Sequence, residues 1–222
     1  MIEIFQTEVG MLSNFNELIC DVGTRKCAVV DPAYEVDRLL REAKTRGWEI
    51  AAILITHTHH DHTDGAEEMA RATGARLYVG AGEADAARAA APSAEVVPLA
   101  GGEEIPVGDE RIGTLATPGH TVAGISYLAG GAVMTGDTLF IGGCGRTDFP
   151  GGDPRILWRS LQRLAALPEE TRVYPGHDYG KTPQSTIGWE RTTNPYLLCK
   201  DEDEFVALRT GKNPPRPIRG AR

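Results

Sequence analysis

Short stretches rich in apolar and β-branched residues open the chain: MIEIFQT, the segment from Met11 to Cys20, and CAVVD. This composition predicts three β-strands, with a Gly-containing turn, DVGTRK, joining the last two. Beyond them the apolar residues recur at the spacing of one helix face, at Val36, Leu39, Leu40 and Ala43. This spacing predicts an amphipathic helix between residues 34 and 46, and Gly47 is expected to end it.

A continuously apolar run, EIAAILIT, comes next and predicts a strand buried on both faces. It leads directly into the polar cluster THTHHDHTDG, which is therefore expected at the carboxyl end of a strand, where open α/β sheets place their sites. Two helical stretches, GAEEMARATG and GEADAARAAAP, and five short strands between residues 94 and 134 follow. Asp153 and Pro154 predict the N-cap and first position of another helix, and TRVYPGH predicts a last strand.

The β-rich segments recur in both halves of the chain with helices between them, and no linker divides the halves. This order favours one domain of two packed sheets with helices outside, although composition alone leaves a simple α/β sheet open. We assign residues 1–180 to the main domain, which is expected to carry the site. Residues 181–222 are polar and partly helical, and we expect them to form a short C-terminal extension packed on the same domain.

Composition and charge narrow the functional classes. The 222 residues include 31 acidic against 23 basic side chains, a net charge of −8, which argues against a nucleic-acid partner. No apolar run approaches the length of a membrane span, and the start MIEIFQTEVG has no secretory pattern, so we expect a cytoplasmic location and no membrane partner. The cysteines are expected to be reduced thiols, with Cys20 and Cys27 facing each other across a hairpin without a disulfide.

All six histidines fall in three loop segments that follow predicted strands. His57, His59, His60 and His62 lie within THTHHDHTDG, while His120 lies in TPGHT and His177 in YPGHDYG. Imidazole and carboxylate groups are the ligands of divalent ions such as Zn²⁺ or Fe²⁺. The pattern therefore predicts a metal site.

The spacing indicates how two ions could be held. Residues two apart on an extended segment point the same way, so His57 and His59 can bind one ion. A turn at Asp61 and His62 would direct the next pair towards a second ion, and Asp137 in MTGDTLF is the candidate for a shared carboxylate. An adventitious histidine tract is the alternative, but a buried strand would not direct such a tract. His60 is left outside the ligand set.

The motifs THTHHDH, TPGHT, TGDTLF and YPGHDY, in this order, resemble those of the metallo-β-lactamase superfamily over nearly the whole chain. The resemblance implies an α/β (α+β) fold, an αββα sandwich of two mixed β-sheets flanked by helices, with the site at one edge. It implies two metal ions, with ligands divided as follows: His57, His59 and His120 for one, Asp61, His62 and His177 for the other, and Asp137 bridging.

Within this superfamily, GDTLFIGGCGRTDFPGGDP resembles glyoxalase II, which hydrolyses glutathione thioesters. This resemblance implies a hydroxide held between two ions, most simply Zn²⁺, that attacks a thioester while Asp61 orients it. Asp61 and Asp137 are then the catalytic carboxylates. Arg146 falls near the glutathione-binding loop, where a cation could hold a substrate carboxylate, and Tyr179 is a candidate residue at the mouth of the site.

The segments GCGRTDF and HDYG and the tail also resemble persulfide dioxygenases, which bind a single Fe²⁺ through positions matching His57, His120 and Asp137. The chain departs from that pattern at His60 and Gly176, where alanine is usual, and we therefore favour the hydrolase. A non-catalytic metal-binding module is disfavoured because no ligand is missing.

The expected partner of the hydrolase is a small thiol-derived molecule similar to glutathione. A homodimer is left open. Three cations near the C-terminus could bind an anionic substrate or a second subunit, although we favour plain surface: Lys212, Arg216 and Arg219.

Overall fold

A computed structural model of the chain describes residues 1–216 and contains two six-stranded sheets. The first sheet has the spatial order β1 (Ile2–Val9), β2 (Asn14–Asp21), β3 (Lys26–Val30), β4 (Glu49–Leu54), β5 (Arg76–Gly80) and β6 (Val96–Leu99). The second has the order β14 (Ser185–Thr186), β13 (Arg172–Pro175), β10 (Ala132–Gly136), β9 (Ile125–Ala129), β8 (Glu110–Ala116) and β7 (Glu104–Val107). A small hairpin pairs β11 (Leu139–Phe140) with β12 (Gly143–Cys144).

Both sheets are mixed. In the first, β1, β2 and β3 pair antiparallel, whereas β3 to β6 run parallel. In the second, β10 and β13 are parallel and the other pairs are antiparallel. The helices are α1 (Val36–Thr45), α2 (His60–Thr63), α3 (Ala66–Thr73), α4 (Ala84–Ala90), α5 (Pro154–Ala165), α6 (Ile187–Thr193) and α7 (Glu202–Thr210).

Three apolar layers hold these elements together. The alternation along β2 shows how: Leu18 and Cys20 pack towards α1, α3 and α4, whereas Ile19 packs between the two sheets. On the outer face of the second sheet, Val133 and Val173 pack with residues of α5, α6 and α7. The expected αββα sandwich of two mixed sheets flanked by helices is therefore confirmed.

Most local expectations agree with the structure. Asp153 Oδ1 accepts hydrogen bonds from the first N–H groups of α5, and Pro154 occupies its first position. Cys20 and Cys27 are paired across the β2–β3 hairpin as buried free thiols. Strand β5 was not predicted, because Arg76–Gly80 is a short segment directly after a helix and before another helical pattern.

The C-terminal segment packs on the second sheet through Ile187, Tyr196 and Phe205, which join the apolar layer around α5. Lys212 and Arg216 are exposed, and Arg219 lies outside the described residues. Within residues 1–216, no helix has the length and apolar character needed to cross a membrane.

Candidate metal centre

Five strands direct polar residues to one edge of the sandwich. Asp31 follows β3, His57 follows β4, His120 follows β8, Asp137 follows β10, and His177 follows β13. The carboxyl ends of parallel strands meet at the same edge of a sheet, which is why side chains far apart in sequence converge here. The convergence brings together all seven residues that the sequence predicted as metal ligands: His57, His59, Asp61, His62, His120, Asp137 and His177.

Three imidazoles form the first candidate ligand group, called the first ligand group below. His59 Nδ1 lies 3.0 Å from His57 Nε2 and 3.1 Å from His120 Nε2. The backbone at His59 is extended, so His57 and His59 point to the same side as the sequence pattern predicted. His57 and His120 are buried, whereas His59 is half-buried and leaves the group open on one side.

The second ligand group follows from the short helix α2. This helix begins at His60 and turns the chain, so that Asp61 and His62 face His177. His62 Nε2 lies 3.3 Å from His177 Nε2, and Asp61 Oδ2 lies 3.3 Å from the same His177 atom. His60 takes no part, because its side chain is 98% exposed and lies 3.5 Å from Asp64.

Asp137 lies between the two groups. Its Oδ1 atom is 3.4 Å from both His62 Nε2 and His177 Nε2, and its Oδ2 atom is 3.7 Å from His120 Nε2. Although Oδ1 is buried, it has no hydrogen-bond partner within the described part of the chain. A buried carboxylate oxygen without a partner is costly unless a cation compensates it.

Hydrogen bonds on the far side of the rings fix their orientation. His120 Nδ1 lies 2.7 Å from the carbonyl oxygen of Arg146, and His177 Nδ1 lies 3.0 Å from that of Leu12. A carbonyl can only accept, so both Nδ1 atoms carry a proton, and both Nε2 atoms face the cluster, where a neutral ring presents a lone pair. This is the arrangement that metal-binding histidines require.

A residue that the sequence did not single out, Asp31, supports both groups. Its carboxylate accepts hydrogen bonds from the Thr56 N–H (2.7 Å), the Thr56 hydroxyl (2.6 Å) and His62 Nδ1 (2.9 Å). The Thr56 hydroxyl oxygen is 3.1 Å from His57 Nδ1 and can accept a hydrogen bond from the N–H of that ring. The position of Asp31 at the end of the predicted strand CAVVD was the available signal.

Asn14 was also missed, because no motif surrounds it. Its Nδ2 donates to the carbonyl oxygen of Asp61 at 2.8 Å and to Asp61 Oδ2 at 3.2 Å. These bonds fix the carboxylate of Asp61 towards His177.

Burial and charge act in opposite directions on the ionisable groups. Burial raises the pKa of Asp137, but the imidazoles of His177 and His62 outweigh it and hold that pKa well below its usual value. Burial lowers the pKa of His177, but Asp137 outweighs it and raises that pKa to about 10. Burial likewise opposes the ionisation of Asp61, yet His177 and His62 bring its pKa to about 2.

Both carboxylates are therefore anionic among the imidazoles, and His62 and His177, whose pKa values are raised, compensate them by holding protons. A divalent cation can replace those protons, since nitrogen and carboxylate oxygen are its ligands. The donor set, the ring orientations and the buried Asp137 oxygen that lacks a hydrogen bond all fit a metal centre.

The open side of the centre is lined by aromatic residues. Phe149 is 41% exposed, and its ring lies 5.3 Å from that of His59. The Arg146 guanidinium lies 4.5 Å from the Phe149 ring centre and makes two hydrogen bonds to Asp148, at 2.9 and 2.6 Å. The cation expected to hold a substrate carboxylate is thus at the rim but already paired.

Tyr179, the other expected substrate contact, stacks on His177 with 4.6 Å between ring centres. Burial and the charges of Asp137 and Asp61 raise its pKa to about 12. The hydroxyl of Tyr179 is therefore protonated at neutral pH and can donate a hydrogen bond.

Comparison with known proteins adds to this geometry. The sequence profile of the metallo-beta-lactamase superfamily matches residues 18–177. A beta-lactamase hydrolase-like protein of Xylella fastidiosa is 32% identical over 93% of this chain and 55% of that protein. The chain thus spans about half the length of this protein and of the other beta-lactamase hydrolase-like proteins that it matches.

Other relatives match over most of their length. A hydroxyacylglutathione hydrolase of Pseudomonas entomophila is 40% identical, covering 83% of this chain and 82% of that protein. A probable zinc-dependent hydrolase of polyketide biosynthesis from Bacillus velezensis is 31% identical over 91% of this chain and 90% of that protein. Among solved structures, ETHE1 from Myxococcus xanthus has a TM-score of 0.87 and 36% identity, covering 97% of this chain and 93% of that one.

Proposed function

The chain belongs to the metallo-β-lactamase superfamily, and on this premise we propose that it is a metal-dependent thioester hydrolase of the hydroxyacylglutathione, or glyoxalase II, type. Two divalent ions, Zn²⁺ in this proposal, would be held by one residue group each: His57, His59 and His120 for the first, and Asp61, His62 and His177 for the second, with Asp137 available to both. Such ions supply hydroxide at neutral pH and stabilise negative charge that develops on the substrate.

The observation that carries this proposal is that both ligand groups are complete and converge on one carboxylate. Asp137 Oδ1 faces the second group at equal distances from His62 and His177. Gly176 leaves the room for this placement, because a Cβ atom there would lie 2.5 Å from Asp137 Oδ1 and 3.0 Å from His62 Cε1. The absence of a side chain at position 176 thus favours a carboxylate that two ions share.

The residues around the centre fit thioester cleavage. Asp61 remains ionised, and Asn14 fixes its carboxylate, so it can accept a hydrogen bond from the attacking water and orient it. A thiolate leaving group has a free pKa near 8.5 and departs without a strong general acid. Tyr179 can donate its hydroxyl proton in a hydrogen bond to the bound substrate, and Phe149 offers an apolar contact at the rim.

The hydroxyacylglutathione hydrolase relative supports a glutathione-type thioester as substrate. We propose this substrate class for the chain itself, with the rim residues Arg146 and Tyr179 contacting the thiol portion.

A second candidate function is persulfide dioxygenase activity with one Fe²⁺ on His57, His120 and Asp137. The similarity to ETHE1, a persulfide dioxygenase, over 97% of the chain favours it. The ligand residues are common to both functions and do not separate them, whereas the room left by Gly176 favours the hydrolase.

Paired assays on the purified chain separate the two functions. The zinc-loaded protein is expected to hydrolyse S-lactoylglutathione, and the iron-loaded protein is expected not to consume oxygen with glutathione persulfide. Oxygen uptake without thioester hydrolysis would contradict the hydrolase proposal. The Asp137→Ala variant is the matched control, because the shared carboxylate is needed for either activity.

A further inference from the structure

Glu83 is a buried acid outside both ligand groups. It ends the short 3₁₀ turn Ala81–Glu83 that follows β5, and its side chain is only 5% exposed. Its Oε2 atom accepts hydrogen bonds from the Thr58 N–H at 2.6 Å and the Thr58 hydroxyl at 2.8 Å. Its Oε1 atom accepts from the Thr121 hydroxyl at 2.5 Å and the Ala123 N–H at 3.1 Å.

These donors belong to the two segments that carry the first ligand group. Thr58 lies between His57 and His59, and Thr121 directly follows His120. One carboxylate therefore joins the backbone on both sides of the three converging imidazoles. His177, which belongs to the second group, contacts the Leu12 carbonyl oxygen and the carboxylates of Asp61 and Asp137 instead.

We propose that Glu83 is a positioning residue for the first metal ion, and that it sets the distance between the His57–His59 segment and His120. This inference depends on the metal-binding part of the proposed function but not on the substrate. It assigns Glu83 no contact with substrate or metal.

A carboxylate is required at this position for a geometric reason. Each of its oxygens faces one backbone N–H, that of Thr58 on one side and that of Ala123 on the other. A glutamine amide has one oxygen and one NH₂ group, so in either orientation a donor would oppose a donor. The half-buried N–H left without an acceptor would then favour a shift of its segment away from residue 83.

The test compares Glu83→Gln with Glu103→Gln as a matched control. Glu103 likewise accepts from two backbone N–H groups, those of Ala100 and Gly101, and from a threonine hydroxyl, that of Thr114. It lies in the turn between β6 and β7, where no candidate ligand is found. Glu103→Gln therefore breaks hydrogen bonds of the same kind as Glu83→Gln does, but at a place where no candidate ligand would move.

The measurement is a titration of metal-free protein with Zn²⁺ in competition with a chelating indicator, and with Co²⁺ by visible absorption. Glu83→Gln is expected to lower the affinity for one of the two metal equivalents by about 10- to 100-fold, which is the effect typical of residues that orient ligands. It is also expected to change the Co²⁺ absorption spectrum. Glu103→Gln is expected to bind both equivalents like the wild type. A milder variant, Thr121→Val, removes one of the four bonds and should weaken the same equivalent by a few-fold, which keeps the test available if Glu83→Gln does not fold.

The inference is overturned if the Glu83 and Thr121 variants bind both equivalents normally, or if Glu103→Gln loses metal to the same extent. Wild-type protein that binds no metal would overturn it together with the proposed function. Wild-type protein that binds two ions but hydrolyses no thioester would contradict only the proposed function.

Discussion

His62 Nδ1 donates a hydrogen bond to Asp31 Oδ2 at 2.9 Å, and both side chains are almost completely buried. The bond leaves His62 Nε2 as the atom that faces His177 and Asp137. Because Asp31 also holds Thr56, whose hydroxyl contacts His57, a single carboxylate orients one ligand in each group.

Replacing Asp31 should therefore weaken the binding of both metal ions. Asparagine tolerates the left-handed backbone at this position (φ of 46°), so Asp31→Asn removes the charge and one acceptor with little backbone strain. We expect metal affinity to fall by about 10- to 100-fold, measured by competition with a chelator. Asp21→Asn is the control, since Asp21 is equally buried but accepts hydrogen bonds from Gly23 and Thr24. Equal metal affinity in the two variants would contradict the role of Asp31.

The room at Gly176 gives a prediction about the number of ions. In Gly176→Ala the new methyl group would lie 2.5 Å from Asp137 Oδ1 and should displace that oxygen from His62 and His177. We expect the variant to retain one metal equivalent instead of two, as measured by elemental analysis after dialysis. Gly113→Ala is the control, because its Cβ would meet only Leu128 at 3.5 Å. Two equivalents in Gly176→Ala would show that the position does not limit the second ion.

The pairing of Arg146 with Asp148 predicts opposite effects of two substitutions on substrate binding. An exposed charged contact contributes about 0.5–1 kcal/mol, so Arg146→Ala should raise KM for a glutathione thioester by about 2- to 5-fold with little change in kcat. Asp148→Ala releases the guanidinium from its partner and should lower KM. If neither substitution changes KM, Arg146 acts only through its carbonyl group, which orients His120.

Glu17 predicts a pH dependence of stability. It lies on the same face of β2 as Ile19, and burial, together with the charge of Asp31, raises its pKa from 4.5 to about 8. The folded protein thus keeps a proton that the unfolded chain releases above pH ~4.5, and the resulting loss of stability grows until pH ~8. One pKa unit corresponds to about 1.4 kcal/mol. The free energy of unfolding of Glu17→Gln, relative to that of the wild type, should therefore increase by about 3–5 kcal/mol between pH 4 and pH 9.

Urea unfolding of both proteins at pH 4, 7 and 9 measures this difference. The wild type should lose stability relative to Glu17→Gln as the pH rises. A difference that stays constant with pH would mean that Glu17 titrates normally in the folded protein.

The sequence predicted which residues converge at this edge because each lies in a local motif at the end of a strand, as His120 does in TPGHT. It did not predict Asp31 and Glu83 as supporting residues, because their partners lie about 25 residues or more away along the chain. Such contacts depend on how β3, β4 and β5 are placed side by side. Strand β5 was missed for a related reason, since it is short and its pairing with β4 and β6 defines it more than its composition does.

The two ligand groups that meet at Asp137 are expected to bind two ions. Elemental analysis of protein purified without added metal tests this expectation most directly. Two zinc equivalents per chain are predicted, and a single equivalent of iron would contradict the account.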